Sequence, residues 1–187
     1  MLPLLTSFLS ADACQLTLDP NTANRYLSLS EGDRKVTHTP GREQPYPDHP
    51  ERFDFWLQVL CREGLSGTRC YWEAECSGGA VIAVAYKGIS RKGGGSDRMF
   101  GHNDQSWTLY CCGSMFFALH NNNRTSIPAP SSRRVGVYLD WPAGTLSFYS
   151  VSSDTLTHLH TFHTTFTQPF YPGFLVWRGM LSLCMLG

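Results

Sequence analysis

Between Arg133 and Val151 apolar and polar positions alternate. In VGVYLD the apolar Val135, Val137 and Leu139 recur at every second residue, the period with which one face of a β-strand is buried. Trp141-Pro142-Ala143-Gly144 interrupts the run; proline presets one turn dihedral and glycine reaches positive φ. Thr145–Val151 then returns, β-branched and aromatic, with Leu146 and Phe148 on one face. The stretch predicts a β-hairpin whose core positions are Val137, Leu139, Leu146 and Phe148.

The same period runs through the rest of the chain. Cys14–Leu18, Tyr26–Leu29 and Lys35–Thr37 read as short strands. His38–Arg52 holds Pro40, Pro45, Pro47 and Pro50, which excludes it from a sheet interior and makes it a long loop. Cys70, Trp72, Ala74 and Cys76 form the core face of a strand, and Ala80–Tyr86 is a small-apolar run of the kind buried on both faces. Ser90–Asp104 is a Gly-rich loop. Ser106–Cys111, around Trp107, and Met115–Leu119 are strands, and Asn121–Ser132 is a loop. Leu156–Phe162 is a strand, with two more near Leu175 and Leu181–Cys184. Many short strands without a long 3.6-residue period predict an all-β, two-sheet antiparallel β-sandwich, with helix confined to a turn near Asn21–Asn24.

The hairpin also carries a resemblance. Val-Gly-Val-Tyr-Leu-Asp-Trp followed by Gly-Thr-Leu-Ser-Phe-Tyr resembles the centre of a SPRY domain. Leu18-Asp19-Pro20 resembles the opening of a PRY segment, and Tyr71-Trp72-Glu73-Ala74-Glu75 the first strong SPRY strand. The style is that of the PRY-SPRY tails of tripartite-motif (TRIM) proteins, NOD-like receptors and stonustoxin-type proteins of fish. The resemblance implies a concanavalin-like jelly roll. Residues 1–13 would be a lead-in or linker, 14–62 the PRY segment and 63–187 the SPRY segment. It implies a non-catalytic protein-recognition module, the target-binding tail of a TRIM ubiquitin ligase or NOD-like receptor in innate immunity, in the cytoplasm. Ligase chemistry would lie in an upstream RING domain. The isolated domain would be a monomer, and an upstream coiled coil could oligomerise the parent. Two alternatives stay open: the C-terminal domain of a secreted, pore-forming venom-type toxin, and a glycan-binding, lectin-like sandwich.

Composition narrows this further. The 187 residues suffice for one sizeable core, and 42% hydrophobic with 13% aromatic residues argues against disorder. Formal net charge is zero, without the Lys and Arg excess that a sequence-independent grip on nucleic acid or an anionic membrane needs. Seven cysteines include no C-x-x-C pair and read as reduced, mostly buried thiols. A Cys70–Cys76 bridge is excluded if both lie on one extended strand, since they would stand about 20 Å apart. Leu2–Leu9 is apolar but short, interrupted and preceded by no basic residue, so it reads as linker rather than signal peptide. Asn123-Arg124-Thr125 is a glycosylation triplet that matters only in a secreted chain.

No catalytic constellation emerges. Lys92-Gly93-Gly94-Gly95-Ser96 lacks phosphate-loop spacing. His158 and His160 share a strand face while His163 falls on the other, with no further ligand to complete a metal set. Cys111 and Cys112 point to opposite faces without a flanking base. Glu73 and Glu75 have glycosidase-like adjacency, but in the Y-W-E-x-E motif they read as structural, bonded to neighbouring backbone or Arg. No cofactor or metal is expected. Recognition remains, carried by aromatic and Arg residues on rigidly held loops: Tyr46, Asp97, Arg98, Phe116 and Arg178. Carried over by motif, Trp107 is the core Trp, and Tyr110, Cys112 and Trp177 fall at ligand-contact positions. Of Phe116 and Phe117, alternation sends one into the core.

Overall fold

The computed structural model describes residues 11–153 and 155–186. The apolar stretch Leu2–Leu9 lies outside them. The chain builds β1 (Leu27–Ser30), β2 (Lys35–His38), β3 (Gln58–Leu60), β4 (Arg69–Tyr86), β5 (Ser106–Cys112), β6 (Met115–His120), β7 (Asn123–Ile127), β8 (Arg134–Asp140), β9 (Thr145–Ser152), β10 (Thr155–His163) and β11 (Phe170–Leu183). A short 3-10 turn covers Ser96–Arg98.

All strand pairs are antiparallel, and β4 and β11 belong to two layers at once. The first half of β4, Arg69–Glu75, pairs with β8, and its second half, Gly79–Ala85, pairs with β5. β11 accompanies β4 throughout, while its early residues pair with β3 and its late ones with β2. One layer is therefore β1-β2-β11-β4-β8-β9-β10 and the other β3-β11-β4-β5-β6-β7. The crossing point is glycine-dependent. A Cβ on Gly78 (φ +110) would stand 2.1 Å from the Arg178 carbonyl oxygen, and one on Gly179 (φ +85) 1.9 Å from that of Ser77. No side chain fits between backbones this close.

The main core lies between the layers. Trp72, Trp107, Val137, Leu139, Leu146 and Phe148 are all in it, the last four fully buried. A second apolar cluster covers the outer face of the β5-containing layer, where Val81, Ala83 and Ala85 meet Phe53, Ile89 and Phe100 from the long loops. This is why Ala80–Tyr86 is apolar on both faces.

The strand pattern departs from the sequence reading in several places. Cys14–Leu18 is no strand; it is bracketed by isolated bridges, Ala13 to Tyr71 just before it and Leu18 to Cys61 at its end. Cys70–Cys76 and Ala80–Tyr86 are one strand, and so are the last two expected strands, because β4 runs on through Ser77-Gly78-Gly79 and β11 through a bulge at Trp177. The expected loop at Asn121–Ser132 contains β7, which pairs with β6 through a tight turn at Asn121 and Asn122, both at positive φ. In β10 a bulge between His158 and His160 reverses the alternation. His158 meets Thr161 at 2.7 Å while His160 packs on Phe162, so these two histidines do not share a face.

The start of the chain also differs. Asp12 accepts hydrogen bonds from the Tyr71 amide and, through its carboxylate, from the Tyr138 hydroxyl, each at 2.9 Å. Residues 12 and 13, read as lead-in, thus join the domain. Their bridge to Tyr71 brings Cys14 and Cys70 to a Cα separation of 5.6 Å, and the two form a disulfide. This corrects the all-thiol reading for that pair. Cys61, Cys76, Cys111, Cys112 and Cys184 are free thiols. Among the described residues no helix is long and apolar enough to cross a membrane, and no cluster of three or more His, Cys, Asp or Glu could hold a metal ion.

Candidate protein-recognition surface

The polar residues of the long loops fasten the loops to each other. Tyr46 is half-buried; its hydroxyl donates to the Leu27 carbonyl at 2.7 Å, and the Arg52 guanidinium lies 4.8 Å from its ring centre. Arg52, itself buried, donates to the carbonyls of Pro20, Ala23 and Pro47. Arg91 is buried as well; it donates to the carbonyls of Ile89, Glu51 and Lys87, and burial pulls its pKa down. Lys92 donates to the His49 and Arg52 carbonyls, and Asp48 pairs with Arg25. Tyr46, expected at the ligand surface, is therefore a strut under the proline-rich loop. Asp97 and Arg98 sit on the 3-10 turn, ion-paired at 3.6 Å, with Arg98 also donating to Ser90 Oγ.

A different group converges on the outer face of the β5 layer. The two-residue Gly113–Ser114 turn pairs Cys112 with Met115 and hence Tyr110 with Phe117. Their rings stack at 4.5 Å with a 16° interplanar angle. Arg124 on β7 lays its guanidinium 3.8 Å from the Phe117 ring centre. On the other side Trp177 tilts towards Tyr110, with 6.4 Å between centroids. The result is a Trp–Tyr–Phe–Arg row running across β11, β5, β6 and β7.

Each member is positioned by backbone. Trp177 is the extra residue of a bulge between Val176 and Arg178, within β11 rather than in the expected loop. A bulge re-aims its side chain. Across from it Gly79 leaves the room: a Cβ there would lie 2.3 Å from the indole. Tyr110 is buried and its hydroxyl donates to the Phe100 carbonyl at 3.0 Å, which ties the Gly-rich loop to the row. Burial raises its pKa. Cys112 is half-buried beside the row; burial raises its thiol pKa while Arg124 lowers it.

The structure thus brings together Tyr110, Cys112 and Trp177, with Arg178 next in sequence on the exposed side of the bulge. It removes Phe116, which points into the main core. Phe117 takes the outer side instead, itself buried in the second apolar cluster beneath the exposed Arg124. The signal was available: a two-residue hairpin turn fixes which phenylalanine faces Tyr110. Phe100 in the Gly-rich loop is fully buried.

No hydrolytic arrangement accompanies this surface. Glu73 accepts from the Tyr71 hydroxyl at 2.6 Å, and Arg134 bridges Glu73 and Glu75 at 3.4 and 3.5 Å. Both carboxylates are committed to that network.

Comparison with known proteins agrees with this architecture. The family model for PRY, the SPRY-associated domain, matches residues 16–65, and that for the SPRY domain matches 69–185. Stonustoxin subunit beta of Synanceia horrida is 48% identical over 166 residues, covering 87% of this chain and 23% of the toxin subunit. Tripartite motif-containing protein 16 of Mus musculus is 43% identical over 163 residues, covering 87% of this chain and 29% of that protein. The chain thus spans about a quarter of the length of these relatives. The TRIM65 PSpry domain crystal structure superposes with a TM-score of 0.89 at 32% identity, over 97% of this chain and 95% of that one. The stonustoxin structure gives 0.84 at 46% identity, over 92% of this chain and 27% of that one.

Proposed function

Because the chain belongs to the PRY-SPRY family, a family of protein-interaction modules, we propose that it is the target-recognition domain of a longer tripartite-motif-type protein acting in the cytoplasm. The observation that carries the reading is the Trp177–Tyr110–Phe117–Arg124 row on a rigid sheet face. Aromatic and Arg side chains supply most of the binding energy at protein interfaces, and rings held by sheet register lose little entropy on binding. Ubiquitin transfer would belong to a RING domain elsewhere in such a parent, and a NOD-like receptor is the other parent of this kind. Neither nucleic acid nor membrane is required.

The test is capture from cell lysate by proximity labelling, with the wild-type domain against a Tyr110→Ala/Trp177→Ala version whose folding is verified. Proteins lost only with the double variant identify the ligand. Equal capture by both would reject this face.

Two observations favour a second reading, a domain of a secreted toxin. The Cys14–Cys70 disulfide belongs to an oxidising compartment, and the Asn123 triplet lies on exposed strand β7. Alkylation and mass measurement of the protein from its native tissue separate the two. A bridged Cys14–Cys70 pair with a glycan on Asn123 supports the toxin; two free thiols and no glycan support the intracellular parent.

A further inference from the structure

A cleft of about 350 Å³ opens at the end of the sandwich where β4 and β11 cross. Cys76 contributes to its lining, together with Ser77, Ser131 and Gly113, and two arginines, Arg133 and Arg178, border it. No carboxylate does. Both arginines are exposed, and among the described residues neither side chain has an ion pair or hydrogen bond. Glu75 borders the adjoining recess that Arg133 also lines, but it and Glu73 are held by Arg134. The cleft therefore carries two positive charges with no acidic group of its own to answer them. The backbone of Arg178, though not its side chain, is held at the crossing. It is clamped against Gly78, and the residue follows Trp177 at the bulge, so the aromatic row and the cationic cleft meet at adjacent residues.

We propose that this cleft is an oxyanion subsite of the recognition surface, taking the phosphate or carboxylate of a side chain on the same protein that docks against Trp177, Tyr110 and Phe117. The inference rests on the function proposed above and gives the partner a chemistry: an acidic or phosphorylated residue next to the segment that packs on Trp177. Guanidinium groups suit this role because their planar forks pair with two oxygens at once. The serine hydroxyls at the rim are further donors.

The experiment titrates the folded 187-residue chain with inorganic phosphate, and in a parallel arm with acetate, following backbone amide resonances. Saturable shifts centred on Ser77, Arg133 and Arg178, with affinity reduced about tenfold or more in Arg133→Gln/Arg178→Gln, support the subsite. Tighter binding of phosphate identifies a phosphorylated side chain as occupant, and comparable binding of acetate a carboxylate; either supports the proposal. Shifts that never saturate, or that persist unchanged in the double variant, mean an adventitious ion only and overturn it. Both substitutions lie at exposed positions, and the same spectra report whether the fold is kept. The titration needs no partner, so its failure leaves the aromatic surface standing. Equal capture by the Tyr110/Trp177 variant with phosphate binding retained would instead sink the aromatic surface alone.

Discussion

Trp72 offers the sharpest check on the physical account of the core. It is 2% exposed, on the part of β4 that pairs with β8, with Val137 opposite in register. Among the described residues its indole Nε1 is a buried donor without a hydrogen-bond partner. Two terms then act in opposite directions. Truncation to alanine removes a large apolar group and leaves a cavity, at a cost of about 3–5 kcal/mol. The orphaned N–H already costs the native state about 1–3 kcal/mol, which any residue without that group recovers. Trp72→Phe keeps most of the ring and discards the donor, so the smaller cavity is offset and its stability should fall within about 1 kcal/mol of wild type. With the same recovery counted for alanine, the net cost of Trp72→Ala is about 2 kcal/mol; at about 2–4 °C per kcal/mol for a domain of this size it should lower the melting temperature by about 4–8 °C, and Trp72→Phe by no more than about 4 °C. Urea denaturation followed by far-UV circular dichroism, with thermal melts alongside, reads both. If Trp72→Phe proves as damaging as Trp72→Ala, the donor is satisfied in solution and the offset does not exist. If Trp72→Ala leaves the melting temperature unchanged, Trp72 is not a core residue.

Two further outcomes follow from the surface and the N-terminal segment. Gly79→Ala places a methyl group where the Trp177 indole now sits, 2.3 Å from its nearest atom. The indole should be displaced, with faster acrylamide quenching of Trp177 and weaker partner capture, and quenching unchanged in a single-Trp background would refute the packing. Alkaline stability tests the contact of Tyr138 with Asp12. Burial, then the hydrogen bond and charge of Asp12, push the Tyr138 pKa from 10.0 up to about 12. A phenol whose pKa is higher folded than unfolded stabilises the fold fully below pH 10, and that contribution is lost as pH rises through about 12. The melting temperature should therefore fall over this window. Tyr138→Phe should reduce the slope, and an identical slope in the variant would show that the phenol is not linked to folding.

The architecture was legible because burial imposes period two on strands, and the hairpin at Val135–Val151 shows that period with its turn chemistry intact. Most of what stayed hidden depends on pairs distant in sequence. The disulfide joins residues 56 apart through a single bridge at Ala13 and Tyr71, and no local pattern announces such a bridge. Phe116 and Phe117 are adjacent and equally apolar, so composition could not rank them; the register set by Gly113–Ser114 does. Tyr46 and Arg91 look like binding residues by type, yet their polar atoms are consumed by loop carbonyls. Residue type identifies what can bind, and hydrogen-bond occupancy decides what is free to.

That distinction bears most heavily on the crossing of β4 and β11. Ser77-Gly78-Gly79 reads in sequence as a break between strands, because glycine weakens a strand interior. In the structure the same glycines let two long strands pass within backbone contact and continue into the opposite layer. The bend supplies three things together: closure of the sandwich over Trp72, a seat for Trp177 against Gly79, and the outward aim of Arg178 at the cleft. A side chain at Gly78 would separate the strands, and with them the aromatic row from the cationic cleft. The stability of the fold and the geometry of the proposed recognition surface therefore rest on the same few backbone atoms, whereas Arg124, Arg133 and Arg178 are exposed and can change without disturbing the core. Partner choice can accordingly vary through those arginines on an unchanged frame.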